Sequence, residues 1–318
     1  MKKCFRQSFL IIILIMLFSS VAFGGSKVLY VDSYHEGYPW SDGITKAIQS
    51  VFKGKDVELR IFRMDTKRNT DKRFIRKAAI EAKAEIEKFK PDLVIASDDN
   101  ASKYLIEPFY KNADLPVVFC GINWDASMYG YPYKNATGMV EVSSVHELLK
   151  YLKPVAKGGK IAYLAADVTT ARKEGLYYRK LYKLELTEKY VKEFTEWVSV
   201  YADIQKECDI LIVGNKAGIN NWNESEAEKA VLAKTKVPTG TLYEFMSKYA
   251  LAGYAKIPEE QGEWAAETAL KILNGTDISS IPLTENKKGR VIINRKIEKS
   301  LGITFSDDVI SSAETIIE

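Results

Sequence analysis

Short apolar runs alternate with helical periodicity along nearly the whole chain, and the alternation starts again midway. Val28-Leu29-Tyr30-Val31, Val57 to Phe62, Leu93-Val94-Ile95-Ala96 and Pro116 to Cys120 read as buried strands. Helical patterns follow them from about Ser41 to Phe52, Asp71 to Phe89 and Asn100 to Tyr110. In the second of these, Phe74, Ala78, Ala82, Ile86 and Phe89 recur at spacings of three and four, the period of one helix face. Strands this short and apolar, each followed by a helix, predict a parallel sheet covered on both faces. The pattern restarts with strands at Lys160–Leu164, near Tyr190–Phe194, at Asp209–Val213 and at Val237–Thr241. Helices are predicted between them at about Thr170–Leu184 and Ser225–Lys234, with a short one after Phe194. A return strand at Gly253-Tyr254-Ala255, a helix from Glu259 to Leu273 ended by Asn274-Gly275, and a mixed tail complete the chain. The fold class is therefore α/β, with two doubly wound, Rossmann-like lobes and no low-complexity linker between them.

The start of the chain bounds its compartment. Lys2, Lys3 and Arg6 precede an apolar run from Phe9 to Phe18, and Ala22-Phe23-Gly24 places small residues at a cleavage site. This is the layout of a secretory signal peptide, residues 1–24, and the run is shorter than the roughly 20 residues a spanning helix needs. Its removal takes away three positive charges and no negative ones, so the net charge falls from +4 to +1. A near-neutral body gives no basis for binding nucleic acid. Cys120 and Cys208 then remain, in strands assigned to different lobes, and are expected to be free buried thiols. With two Cys and two His, no metal site and no cofactor are expected. About 294 residues are more than one hydrophobic core usually serves, which again gives two lobes.

Ligands on such sheets bind outside the carboxyl ends of the strands. The residues that follow the strands are thus the candidate site. The first half supplies Ser33, Tyr34, Tyr38 and Trp40 after the first strand, Asp98, Asp99 and Asn100 after the third, and Gly121, Asn123 and Trp124 after the fourth. The second half supplies Asp167 and Thr169, Asn215, and Tyr243. Polar groups and rings mixed in this way suit a pocket with stacking walls and a few oriented hydrogen bonds. Adjacent Asp98 and Asp99 do not face one another across a substrate as the carboxyls of a glycosidase do. Cys120 has no evident base, and no phosphate loop, dinucleotide fingerprint or nucleophile elbow occurs. The residues point to binding and not to an enzyme.

Several segments then carry a resemblance. Val28 to His35 running to Trp40-Ser41-Asp42-Gly43 resembles the opening of the substrate-binding components of ABC transporters in the aromatic-amino-acid-binding, TrpX-like group. Pro258-Glu259-Glu260-Gln261-Gly262, Ala265-Ala266, Ile272 to Gly275, Ile281-Pro282, and Asn294 through Leu301-Gly302-Ile303 are similar to the closing segments of that group, and Pro116 to Phe119 with Gly121 and Asn123 to its fourth strand. The resemblance implies a type I periplasmic-binding-protein fold whose lobes, joined by three crossovers, close on a ligand. It assigns residues 25–141 with about 254–281 to the first lobe, and 142–253 with about 282–318 to the second. It implies a monomer outside the cytoplasm that captures a small ligand, amino-acid-like or an amine, for an ABC permease. A membrane sensor, a histidine kinase or cyclase, is the alternative partner. Where members that bind amino acids carry small or hydroxyl residues, this chain has Ser97-Asp98-Asp99-Asn100. Two carboxylates there repel an anion, so the expected ligand is cationic or hydroxyl-rich.

Overall fold

A computed structural model describes residues 25–318; the predicted export signal lies outside the described residues. The first half runs β1 (Ser26–Asp32), α1 (Pro39–Phe52), β2 (Val57–Arg63), α2 (Lys72–Phe89), β3 (Leu93–Ser97), α3 (Asp98–Ala101), a π-helical turn (Ser102–Ile106), α4 (Glu107–Phe109), β4 (Val117–Asn123) and β5 (Ala136–Glu141). The second runs α5 (Val145–Leu152), β6 (Ile161–Ala166), α6 (Thr169–Tyr182), β7 (Leu186–Val191), α7 (Phe194–Ile204), β8 (Ile210–Val213), α8 (Glu224–Lys234), β9 (Thr239–Thr241) and β10 (Ala252–Lys256). The chain closes with α9 (Pro258–Leu273), β11 (Thr284–Glu285), β12 (Gly289–Asn294), α10 (Arg295–Leu301), α11 (Asp307–Ser312) and β13 (Thr315–Ile317).

Two sheets result, with strand orders β11-β5-β4-β3-β1-β2 and β13-β12-β10-β9-β8-β6-β7. Within them β2-β1-β3-β4-β5 and β7-β6-β8-β9-β10 repeat one winding. In this order the connections leave β1 in one direction and β3 in the other, which opens a crevice at their carboxyl ends. All pairings in the first sheet are parallel. In the second, only β10 and β12 run antiparallel. The apolar runs of β1, β3 and β4 are buried throughout because helices cover both faces. On one face α1 and α9 enclose Ile44, Ile48, Ala265 and Ala266 against Val28, Tyr30, Ile95 and Val118. The apolar cluster on the other face continues into the second sheet without a break.

Local signals place several ends correctly. Asp71 caps α2 by accepting from the backbone N–H of Arg73 and Phe74 at 3.0 and 3.2 Å. Gly302 ends α10 at φ 66°, the left-handed cap that glycine favours. The strand expected near Tyr190–Phe194 lies earlier, at β7, because Val191 is its last paired residue and Phe194 begins α7. That helix is 11 residues long, with Trp197, Tyr201 and Ile204 on its buried face. β5, β11 and β13 were not expected from the sequence. β11 and β13 are edge strands of two and three residues, too short for a period of two to show.

Three segments cross between the sheets: Val142–Ser144 after β5, Ile257 after β10, and Asn286–Lys288 between β11 and β12. The crossing expected before Tyr254 falls after Lys256, because β10 is hydrogen-bonded to β9 and β12. The stretch after 282 likewise begins in the first sheet, where Thr284 and Glu285 pair with β5. The crossings are laced together. Asn286, buried, accepts from Val142 N–H through Oδ1 (2.7 Å) and donates to its carbonyl through Nδ2 (3.1 Å). Glu260 accepts from the backbone N–H groups of Lys287 and Lys288.

Candidate functional site

The carboxyl ends of β1 and β3 lie side by side, with Asp32 paired to Ser97 in register. Both chains then turn into loops, and hydroxyls stitch those loops together. Ser33 Oγ donates to the Ser97 carbonyl (2.6 Å) and accepts from Ala101 N–H (2.8 Å). Thr66 Oγ1 donates to the Ser33 carbonyl and accepts from Asn100 Nδ2 at 2.8 Å. Ser33 and Asn100 are thus committed to holding the edge together, and what they position is a set of acids.

Asp98 follows β3 with φ 68°, a left-handed conformation that Asp tolerates better than most residues. It is 1% exposed, and its Oδ2 has no hydrogen-bond partner among the described residues. Burial pushes its carboxyl well above the usual range, and the charges of Glu141, Asp32 and Asp99 push the same way. Asp99 is satisfied, accepting from Asn123 Nδ2 (2.8 Å) and Tyr129 Oη (2.9 Å). Glu141 ends β5, buried, and forms an ion pair with Lys256 at the end of β10. Burial raises its carboxyl, while Lys256 pulls it down. The Tyr34 hydroxyl is pushed up by burial and by Asp98, Asp99 and Glu141, so the ring stands within the field of all three acids.

Gly121 explains the close packing of Asp98. It sits at a register shift between β4 and β5, with φ 70°. A Cβ there would stand 3.1 Å from Asp98 Oδ1. Its N–H donates to Gln261 Oε1 at 2.9 Å, and the Gln261 side-chain nitrogen, fully buried, has no partner among the described residues. The indole N–H of Trp40 is likewise buried and without a partner among them, with Lys256 5.7 Å from its ring. Buried donors and acceptors left open in this way are rare, and each costs about 1–3 kcal/mol until something meets it.

The aromatic candidates separate. Tyr34 and Tyr38 meet edge to face at 5.3 Å, and Lys67 lies 4.9 Å from both rings. Trp124 does not stand free as a wall. It stacks on Tyr177 of α6 at 5.2 Å and 12°, and meets Tyr178 edge-on, so it joins the two lobes. Asp125 adds contacts to the Tyr177 hydroxyl (3.3 Å) and Lys180 (3.5 Å).

None of the second-half candidates hydrogen-bonds to Asp98, Asp99 or Glu141. Asp167 is ion-paired with Arg172 (2.7 Å), which holds its carboxyl below the usual range, and Lys192 lies 3.8 Å away. Thr169 is exposed at the start of α6, and Asn215 Oδ1 accepts from Ala217 N–H within its own turn. Tyr243 donates to Glu174 Oε2 at 2.9 Å. The sequence reading missed Glu141, Lys67, Lys256, Glu174 and Gln261. Glu141 ends the strand that escaped it, and Glu174 looks like a solvated position in Arg172-Lys173-Glu174-Gly175.

The family described as ABC transporter substrate binding protein matches residues 38–317. Solved structures that resemble the chain include a ligand-free, open substrate-binding protein with adhesive properties from Clostridium difficile. Its TM-score is 0.70 at 18% identity, over 92% of this chain and 99% of that one. An ABC domain from Streptococcus pneumonia in complex with L-Trp gives 0.54 at 21% identity, over 92% and 100%. A leucine-binding protein from Thermotoga maritima gives 0.50 at 12% identity, over 78% and 83%. No curated protein matches the chain. The two repeated windings, joined by three crossings, are the type I periplasmic-binding-protein fold. The chain belongs to the ABC transporter substrate-binding protein family.

Proposed function

We propose that this protein captures a small cationic ligand, an amine or an amino-acid-like molecule, between its lobes and delivers it to an ABC permease outside the cytoplasm. Asp98 carries the reading. A buried carboxylate with an open oxygen, no paired cation among the described residues and three acidic neighbours is costly when empty. An ammonium group offsets that cost where an anion would increase it. Glu141, held by Lys256, adds its charge to the field at Asp98, Tyr34 supplies a ring for the apolar part, and the Trp40 indole N–H and Gln261 amide supply open donors for an oxygen of the ligand. Two of the similar proteins are described with L-Trp or leucine, solutes that carry an amine.

Each lobe takes the elements hydrogen-bonded to its sheet: 25–141 with 258–285 in the first, and 142–256 with 289–318 in the second. The three crossings act as the hinge, and ligand favours closure through contacts that the open form lacks. Among the described residues no helix is long and apolar enough to cross a membrane. Export through cleavage after Gly24 fits that body, and N-terminal sequencing of the secreted protein tests it. The ligand claim is tested by thermal shift with amines, amino acids, sugars and nucleosides. A ligand that binds only the folded state raises Tm. Stabilisation by amines is expected, and stabilisation by sugars or anions alone would overturn the reading.

A further inference from the structure

A second buried acid lies beneath the carboxyl edge of the second sheet. Glu174, in the second turn of α6, is 2% exposed. Its Oε2 accepts the hydroxyls of Tyr163 (2.8 Å) and Tyr243 (2.9 Å), while Oε1 has no partner among the described residues. No Lys, Arg or His among those residues pairs with it, although its neighbours on the helix, Arg172 and Arg179, are paired to Asp167 and Glu188. Tyr163 is itself held close, since a Cβ at Gly214, which follows β8, would stand 2.8 Å from its hydroxyl and 2.6 Å from Ala165 Cβ. Each lobe therefore keeps a buried carboxylate that has an open oxygen and no cation in ion-pair distance among the described residues, Asp98 in the first and Glu174 in the second. Tyr243, in the loop after β9, donates to Glu174; burial and Glu174 push its hydroxyl up, and the charge of Glu141 at the end of β5 adds to that push.

We propose that the ligand carries two cationic centres, one taken by Asp98 in the first lobe and one by Glu174 in the second. The proposal rests on the reading of the crevice as an amine site and narrows it to diamines or diamino acids. Lobe closure then has a direct cause, since a dication is held fully only when both acids reach it. A monoamine satisfies the first lobe alone and leaves the second buried acid as costly as before.

The test is calorimetry on the purified protein with 1,4-diaminobutane, its mono-N-acetyl derivative and n-butylamine. The acetyl derivative keeps the chain and removes one charge, so the comparison needs no variant. The diamine is expected to bind at least tenfold tighter than either monocation. Glu174→Gln is expected to bring the diamine down to the monocations, whereas Asp98→Asn weakens all three. Equal affinity for diamine and monocations overturns the second centre and leaves the amine site standing. Failure of all three to bind overturns both. A Glu174→Gln loss shared equally by diamine and monocations shows that Glu174 only braces Tyr163 and Tyr243, and overturns its pairing with ligand.

Discussion

The carboxyl edges of the two sheets have the same winding and opposite electrostatic finish. At the first edge, Asp32 and Asp98 are fully or almost fully buried, and each has an oxygen without a hydrogen bond among the described residues. Asp32 has at best a distant cation, Arg63 at 3.8 Å. At the second, Asp167 is one-quarter exposed and already paired with Arg172, and Asn215 is spent on its own turn. The second lobe's open acid lies deeper, at Glu174. Position on the fold is thus not enough to make a residue a ligand contact. A group that has its partner within the chain has little left to offer, and one buried without a partner gains most from a ligand.

The largest expected effect tests the first edge. Asp98→Asn preserves shape and tolerates the positive φ but removes the charge, and amine affinity should fall roughly 100-fold, the scale for losing one member of a buried charged pair. Calorimetry on both proteins checks it; a loss under threefold would make the two edges equivalent. Next is the bridge between lobes. Asn286→Ala removes two hydrogen bonds to Val142 within the crossings and should cost about 2 kcal/mol in urea unfolding.

The pH response is smaller and has a definite sign. Asp98 is raised in the folded state, so its neutral form is the stable one there and its contribution to stability is complete below the ordinary carboxylate range. That contribution is lost as pH rises through the raised value. The Tm advantage of Asp98→Asn over the parent should therefore be near zero in acid and widen toward neutrality. Amine affinity of the parent should rise over the same interval, because the ligand favours the charged carboxylate. An advantage independent of pH would remove Asp98 from this account. The smallest effect belongs to the second edge: Asp167→Asn should change amine affinity less than twofold, in keeping with an exposed ion pair. A loss as large as that of Asp98→Asn would erase the contrast between the edges.

Much of this was legible before the fold. The strands at 28–31, 93–96 and 117–120 and the long helices announce themselves, because burial on both faces demands continuous apolar runs and amphipathic helices demand a period near 3.6. The loops after those strands follow from the topology, and Ser33, Tyr34, Asp98 and Asp99 do converge at one edge. Glu141 and Glu174 were not legible. The first ends a strand whose Ala136-Thr137-Gly138 start lacks a hydrophobic signature, since Gly138 must leave room for the Phe119 ring. The second sits among charged residues on a helix whose buried face is set by tyrosines.

Periodicity and turn chemistry are local, so the α/β alternation, its repetition and the kinds of residue that meet beyond the strand ends are written in the order of the amino acids. Which of those residues are already satisfied was decided by tertiary structure alone. Asp98 and Asp99 are neighbours of identical chemistry. The fold gives Asp99 the Asn123 amide and the Tyr129 hydroxyl, and turns Asp98 inward with one oxygen left open. The two acids that the sequence presented as a pair thereby divide, because hydrogen-bond partners come from segments distant along the chain and no local pattern records them.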